Sequence, residues 1–148
     1  MADLDLTILT PQQLTILATN IFKKYNNYGE FNNDGNIIRV SNRDIKESIN
    51  KIRYNNNQFK FVKEHLQIFS KLGNIIESAT LSAQTIENKN RENNVIWSYY
   101  LNGLEIRNKK YLFEFDVISR NDGENHYRVQ RLCEIKKADI SAGTIQNE

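Results

Sequence analysis

Four side chains near the end of the chain bear the residue types that do proton and phosphate chemistry: His126, Arg128, Glu114 and Asp116. An imidazole titrates near neutrality and can give or take a proton. A guanidinium grips a phosphate through its fork of donors, and either carboxylate can accept a proton. Acid, base and guanidinium together are the equipment for cleaving RNA without a metal. A base takes the proton of a ribose 2′-hydroxyl, an acid protonates the leaving 5′-oxygen, and cations stabilise the charged phosphorane. The plain alternative is an ordinary cross-strand ion pair between Asp116 and Arg128 beside a solvated histidine. No metal-ligand spacing, phosphate-binding glycine loop or nucleophile elbow occurs, so no cofactor is expected.

These residues need a β-hairpin to meet. Tyr111, Phe113, Phe115 and Val117 alternate with Leu112, Glu114, Asp116 and Ile118, the period of a half-buried strand. Asn121-Asp122-Gly123 supplies a turn, with Gly123 tolerating a positive φ. A second run follows, with Tyr127, Val129, Cys133 and Ile135 on one face and His126, Arg128, Gln130 and Glu134 on the other. A three-residue loop pairs Val117 with Tyr127, Phe115 with Val129 and Asp116 with Arg128. Phe113, Phe115, Val129 and Ile135 are then expected in the core, and the polar face is left open. Tyr100 and Ser98 join that open face if the preceding strand keeps register.

The remaining elements precede the hairpin. Thr10-Pro11-Gln12-Gln13 is a capped helix start, and Leu14, Leu17, Ala18, Ile21 and Phe22 carry that helix from Pro11 to about Lys24. Tyr25 to Asn36 reads as an Asn- and Gly-rich loop. Ile37, Ile38 and Val40 suit a short strand or an extended anchor. Ser41 caps a second helix with Ile45, Ile49 and Ile52 as its buried stripe. After an Asn-rich connection from Tyr54 to Gln58, a third helix starts near Phe59, with Val62, Leu66, Phe69 and Leu72 inward and Gly73 as its C-terminal cap. His65 sits there as a helix-boundary or partly exposed residue. Ile75, Ile76 and Ala79 suggest a further short helix. Gln84 to Asn94 reads as a polar loop, and Asn94 to Ile106 as one long strand bulged at Gly103. The fold class is α+β: N-terminal helices packed on one face of a C-terminal antiparallel β-meander. Residues 138–148 have little to bury and are expected to fray.

Composition narrows the class without naming a function. The 148 residues suit one domain with a genuine core. A net charge of +2 is too weak to establish a nucleic-acid partner. Cys133 is the only cysteine, which excludes an internal disulfide and favours a reducing compartment. No apolar run approaches the length of a membrane span, and no signal peptide is recognisable, so a cytoplasmic protein is expected.

Four further stretches carry a likeness: Ile38-Arg39-Val40-Ser41 leading into a helix, Leu72 to Ala79, Trp97-Ser98-Tyr99-Tyr100, and Lys110-Tyr111-Leu112-Phe113-Glu114-Phe115, with His126-Tyr127-Arg128 on the closing strand. In order and texture, residues 37–137 resemble the barnase–EndoU–colicin–RelE nuclease superfamily, especially versions appended to phage and mobile-element proteins. The resemblance implies a toxin-like, metal-independent endoribonuclease with RNA as partner and a cognate inhibitor or immunity protein. It implies His126 as acid, Glu114 or Asp116 as base, and Arg128 and Arg39 as phosphate ligands. Tyr100, Gln130 and Lys110 complete the expected substrate contacts. The helix from Pro11 to Lys24 lies outside the likeness, as an added cap or a partner-binding element.

Two other functions compete. A non-catalytic α+β module that binds a protein would use Trp97, Tyr99 and Tyr100 as its anchor. Plain nucleic-acid binding by stacking on Tyr and Arg is weakened by the near-balanced charge.

Overall fold

The computed structural model describes residues 5–26, 29–88, 94–119 and 123–136. The first helix, α1 (Pro11–Tyr25), starts in the expected capping box: Thr10 Oγ1 accepts from Gln13 N and Gln13 Oε1 accepts from Thr10 N. Leu14, Ala18 and Phe22 are buried, and Leu17 and Ile21 pack partly buried against the same core. The helix is part of the domain rather than an added cap.

Within the segment expected to be a loop, Glu30–Asn33 forms a strand, β1, and it pairs in a hairpin with β2 (Asn36–Arg39), the short strand that Ile37 and Ile38 suggested. Asp34 and Gly35 both have positive φ, 50° and 89°, the geometry that suits a two-residue turn joining right-twisted strands. Asparagine here is structural. Asn33 is buried and donates through Nδ2 to the carbonyls of Ile76 and Ala79 at 2.7 and 2.8 Å.

Helix α2 (Asn42–Arg53) begins at the Ser41–Asp44 capping box and buries Ile45, Ile49 and Ile52, as its spacing predicts. The third helix divides into α3 (Asn56–Phe59) and α4 (Val62–Ser70), which carries the expected inward residues Val62, Leu66 and Phe69. Gly73 is not a cap. It lies inside α5 (Leu72–Ser78), where a Cβ would stand 2.5 Å from the Phe31 ring, so close packing demands the glycine.

Four strands follow: β3 (Thr80–Asn88), β4 (Asn94–Ile106), β5 (Lys109–Ser119) and β6 (Asn125–Ile135). Strand order in the six-stranded sheet is β1-β2-β6-β5-β4-β3, antiparallel except for the short parallel contact of β2 with β6. The architecture is α+β, and the helices pack on one sheet face. Residues 84–88, expected in a loop, belong to β3, an edge strand. Its described side chains from Leu81 to Glu87 are exposed, so no hydrophobic alternation marks it. β4 pairs with β5 without interruption through Gly103, so the expected bulge there is absent. Arg107 and Asn108, both at positive φ, close that hairpin.

The irregularity lies one hairpin later. Val117 pairs with Tyr127 as expected, but Phe115 pairs with Gln130 rather than Val129. One extra residue in β6 therefore exchanges the two faces of the strand beyond it. Gln130 and Leu132 are buried; Val129 and Ile135 are only partly so, and Cys133 is exposed. Asn121 and Asp122, two of the three residues of the expected turn, lie outside the described residues, as does the tail 138–148. Gly123 has φ 80°, the left-handed conformation its position calls for. Phe115 is central to the core, stacked on Tyr100 at 5.1 Å and tilted against Tyr127 at 5.3 Å. Among the described residues no helix is long and apolar enough to cross a membrane.

Candidate active site

The sheet face turned away from the helices carries the titratable residues. On β5, Glu114, Asp116 and Ile118 alternate with the core residues Phe113, Phe115 and Val117. Register places Tyr99 beside Asp116, and Trp97 and His126 on either side of Ile118. Ile118 is buried without belonging to the main core. Trp97 is anchored at its rim by an Nε1–H bond to Glu87 at 3.1 Å.

The bulge organises the middle of this face. Asp116 stands opposite two residues, Arg128 and Val129, and its Oδ1 accepts the Val129 N–H at 2.9 Å. The Ser48 hydroxyl of α2 donates to the Arg128 carbonyl, pinning the other half of the bulge. The Arg128 guanidinium pairs with Glu47 of α2, while its Nε is buried and lacks a hydrogen-bond partner among the described residues. Arg131 pairs across the strands with Glu114. Burial raises the Asp116 carboxyl above the ordinary aspartate value. The Val129 N–H, Arg131 and Arg128 pull it partly back, and Glu114 adds to the rise. The result is a carboxylate that holds a proton more tightly than an exposed one, within electrostatic reach of Arg128 and Arg131, whose guanidiniums pair with Glu47 and Glu114.

His126 sits at the other end, where β6 meets β2. Its parallel-ladder partner is Arg39. Glu124 bridges the two, 3.2 Å from His126 Nε2 and 2.7 Å from Arg39 Nη1, and Glu30 contacts Arg39 Nε at 3.2 Å. A cleft of about 830 Å³ opens here, lined by His126, Arg39, Glu30, Ser41 and Glu77. Glu30, Glu77 and Glu124 outnumber the single guanidinium. Arg39 is thus paired to two carboxylates, Glu30 and Glu124.

The comparison with known families is decisive for kinship. The family large polyvalent protein-associated domain 3 matches residues 12–127, most of the 148-residue chain. The chain belongs to that family. No curated protein and no solved structure matches it. The family match runs from α1 to Tyr127, so it takes in Arg39, Glu114, Asp116 and His126 and ends just before Arg128.

In this polyvalent-protein-associated domain, three expected substrate contacts fall elsewhere. Tyr100 and Ser98 lie on the helix-packed face, with Tyr100 stacked on Phe115, so neither reaches a substrate on the open face. Gln130 is fully buried because the bulge turned it inward. Lys110 is exposed at the far end of the sheet, paired in register with Glu105 and Ile135, remote from His126.

Gln130 belongs to a buried polar chain with His65, which is buried rather than partly exposed. The Tyr127 hydroxyl donates to Gln130 Oε1, and Gln130 Nε2 donates to His65 Nδ1 at 2.9 Å. His65 Nε2 then donates to Gln58 Oε1 at 2.9 Å. Gln58 also accepts from Leu132 N at 2.7 Å and donates to Leu132 O at 3.1 Å, so its amide takes the place of a neighbouring strand. Burial lowers the His65 pKa to about 3, and the ring is neutral.

Sequence reasoning missed Arg131, Glu47 and Glu124. Arg131 followed Gln130 in a strand whose facing was read without the bulge. Glu47 lies one residue before Ser48 on α2, and nothing in the helix pattern announces a contact with a strand some 80 residues later.

Proposed function

We propose that this domain is a small metal-independent endoribonuclease, toxin-like, that cleaves RNA by acid–base transesterification on the open sheet face. The observation that carries the reading is the bulge, which sets Asp116 between Arg128 and Arg131. Asp116 takes the proton of a ribose 2′-hydroxyl, and the 2′-oxygen forms a bond to phosphorus. The bond from phosphorus to the 5′-oxygen breaks, and that oxygen takes a proton from His126. The products are a 2′,3′-cyclic phosphate and a 5′-hydroxyl. Arg128 and Arg131 balance the charge gathered on the phosphorane. His126 is a diagonal cross-strand neighbour of Asp116 on the side away from the bulge, roughly 7 Å away, which leaves room for a phosphodiester between acid and base. Glu124 orients the imidazole. In this reading the domain acts on RNA in the cytoplasm, with a cognate inhibitor or immunity protein as a further partner.

Incubating the purified protein with total RNA and EDTA tests it directly. Cleavage leaving cyclic-phosphate ends is expected; intact RNA over a range of transcripts would overturn it.

One observation favours a second reading, a non-catalytic protein-binding module. Among the described residues β3 is an edge strand with no partner on its outer side; Leu81 and Ile86 are exposed, 43% and 67%, and the edge is open to a partner strand. Replacing Ser82 by proline would abolish partner capture under that reading and leave RNA cleavage intact under the first.

A further inference from the structure

Beside the open face, a groove of about 750 Å³ runs between the C-terminal half of α2 and the bulged part of β6. Its walls include Lys51, Arg128 and Arg131 against Glu47, and Glu114 pairs with Arg131 from outside, which leaves an excess of one positive charge. This is the reverse of the cleft at His126. Asn50 and Asn55 add amides at its rim. Tyr54 stands at its mouth, 77% exposed, the most exposed large hydrophobic residue of the described chain. Its backbone is nonetheless fixed, capping α2 through its N–H to the Asn50 carbonyl at 3.2 Å. A ring held at its base and bare on its faces contributes little to the core. It is well placed to stack on a flat ligand.

The groove is continuous with the proposed reaction centre. Arg131 lines it while pairing with Glu114, and Arg128 lines it while acting on Asp116. Beyond Tyr54 and Asn50, which both clefts share, a second cleft of about 640 Å³ continues along α2 past Lys46 to Gln12 and Thr15 of α1.

We infer that this α2–β6 groove binds the nucleotide adjoining the scissile phosphate of single-stranded RNA, with Tyr54 stacked on its base and Lys51, Arg128 and Arg131 holding its phosphate. The inference deepens the endoribonuclease reading and rests on it for the position of the scissile phosphate. A splayed base enters the groove, whereas a duplex keeps its bases stacked on each other and presents only backbone. Selection of single strands over duplexes follows.

The test uses a labelled 2′-O-methyl oligoribonucleotide, which lacks the attacking hydroxyl and reports binding alone by fluorescence anisotropy. Tyr54→Ala is expected to weaken binding about tenfold or more, and Tyr54→Phe to retain it, because stacking needs the ring and not the hydroxyl. Lys51→Ala is expected to lower the dependence of log affinity on log salt by about one phosphate contact. A duplex of the same sequence should compete poorly. Circular dichroism and melting of each variant confirm the fold, which an exposed Tyr54 does not support. Binding by Tyr54→Ala equal to that of the wild type overturns the groove, whatever the wild type does to RNA. Tyr54-dependent binding by a protein that cleaves no RNA upholds the groove and overturns the nuclease reading. A wild type that binds no single strand overturns the groove.

Discussion

The two histidines of this chain occupy opposite kinds of environment. His65 is fully buried, both ring nitrogens are hydrogen-bonded to glutamine amides, and it is neutral. His126 is part-exposed on the open face, and its contacts are an acidic side chain and a cleft. His65 closes a buried polar chain against β6, whereas His126 lies on β6 itself and lines a cleft. A buried imidazole with both nitrogens satisfied has no proton to exchange at neutral pH, so His65 belongs to stability. An imidazole beside a carboxylate and a cleft belongs, in the reading above, to chemistry. Variants that move one property without the other test that division.

The largest effect is expected from Phe115, beneath the same strands. It touches Tyr100, Phe113 and Tyr127, and Phe115→Ala should destabilise the fold by about 3–5 kcal/mol in urea unfolding. A barely destabilised protein would show that the aromatic layer is not the centre of the core. At the open face, His126→Ala should lower cleavage by about 10²–10⁴ with the melting temperature unchanged. Unchanged cleavage would remove His126 from the mechanism and leave both histidines structural.

His65 should act only on stability, and with a defined pH dependence. Its folded-state pKa, lowered to about 3 by burial, lies below the 6.5 of an unfolded histidine. Between those values the unfolded chain binds a proton that the folded chain refuses. The stability from His65 is therefore whole above pH 6.5 and is lost as pH falls below it, by at most about 1.4 kcal/mol per pH unit. His65→Asn should remove this acid sensitivity in a comparison of urea midpoints at pH 7 and pH 5. It should also lose about 1–3 kcal/mol at neutral pH if Gln130 or Gln58 is left unpaired. The raised carboxyl of Asp116 acts in the opposite direction and is present in both proteins, so the difference between them isolates His65. Equal pH dependence in the two would mean that the ring is solvated.

Much of the fold was legible in the residues, and the failures share one cause. Local signals held: the Thr10–Gln13 and Ser41–Asp44 boxes, the stripes of α2 and α4, the long strand from Asn94 to Ile106, and the Val117–Tyr127 register. Each depends on neighbours a few residues apart or on strong alternation. What escaped depends on distant partners. Asn33 and Gly73 read as turn and cap because their contacts, with α5 and with Phe31, lie some 40 residues away. β3 has no buried face to impose a period. The bulge is invisible because Val129 and Gln130 could each have been the inward residue until His65 supplied a partner for the amide. Burying Gln130 is tolerable only because that partner exists.

The smallest expected effect concerns the choice between Glu114 and Asp116 as the base. Glu114 is paired with Arg131 across the strands, and both side chains are substantially exposed. Such a pair contributes about 0.2–1 kcal/mol, so Glu114→Gln should leave the fold almost untouched. Its consequence for cleavage differs in sign between the two assignments. If Glu114 takes the 2′-hydroxyl proton, the amide cannot, and cleavage should fall by orders of magnitude. If Asp116 is the base, Glu114→Gln releases Arg131 from its carboxylate and leaves it available to phosphate, so KM should fall with kcat little changed. Asp116→Asn should then give the large loss instead. The environment favours this second outcome. Asp116 is half-buried, its proton affinity is raised, and the Val129 N–H fixes its orientation, whereas Glu114 is committed to its neighbour. Glu114→Gln measured against Asp116→Asn therefore places the base on one side or the other of a single cross-strand pair.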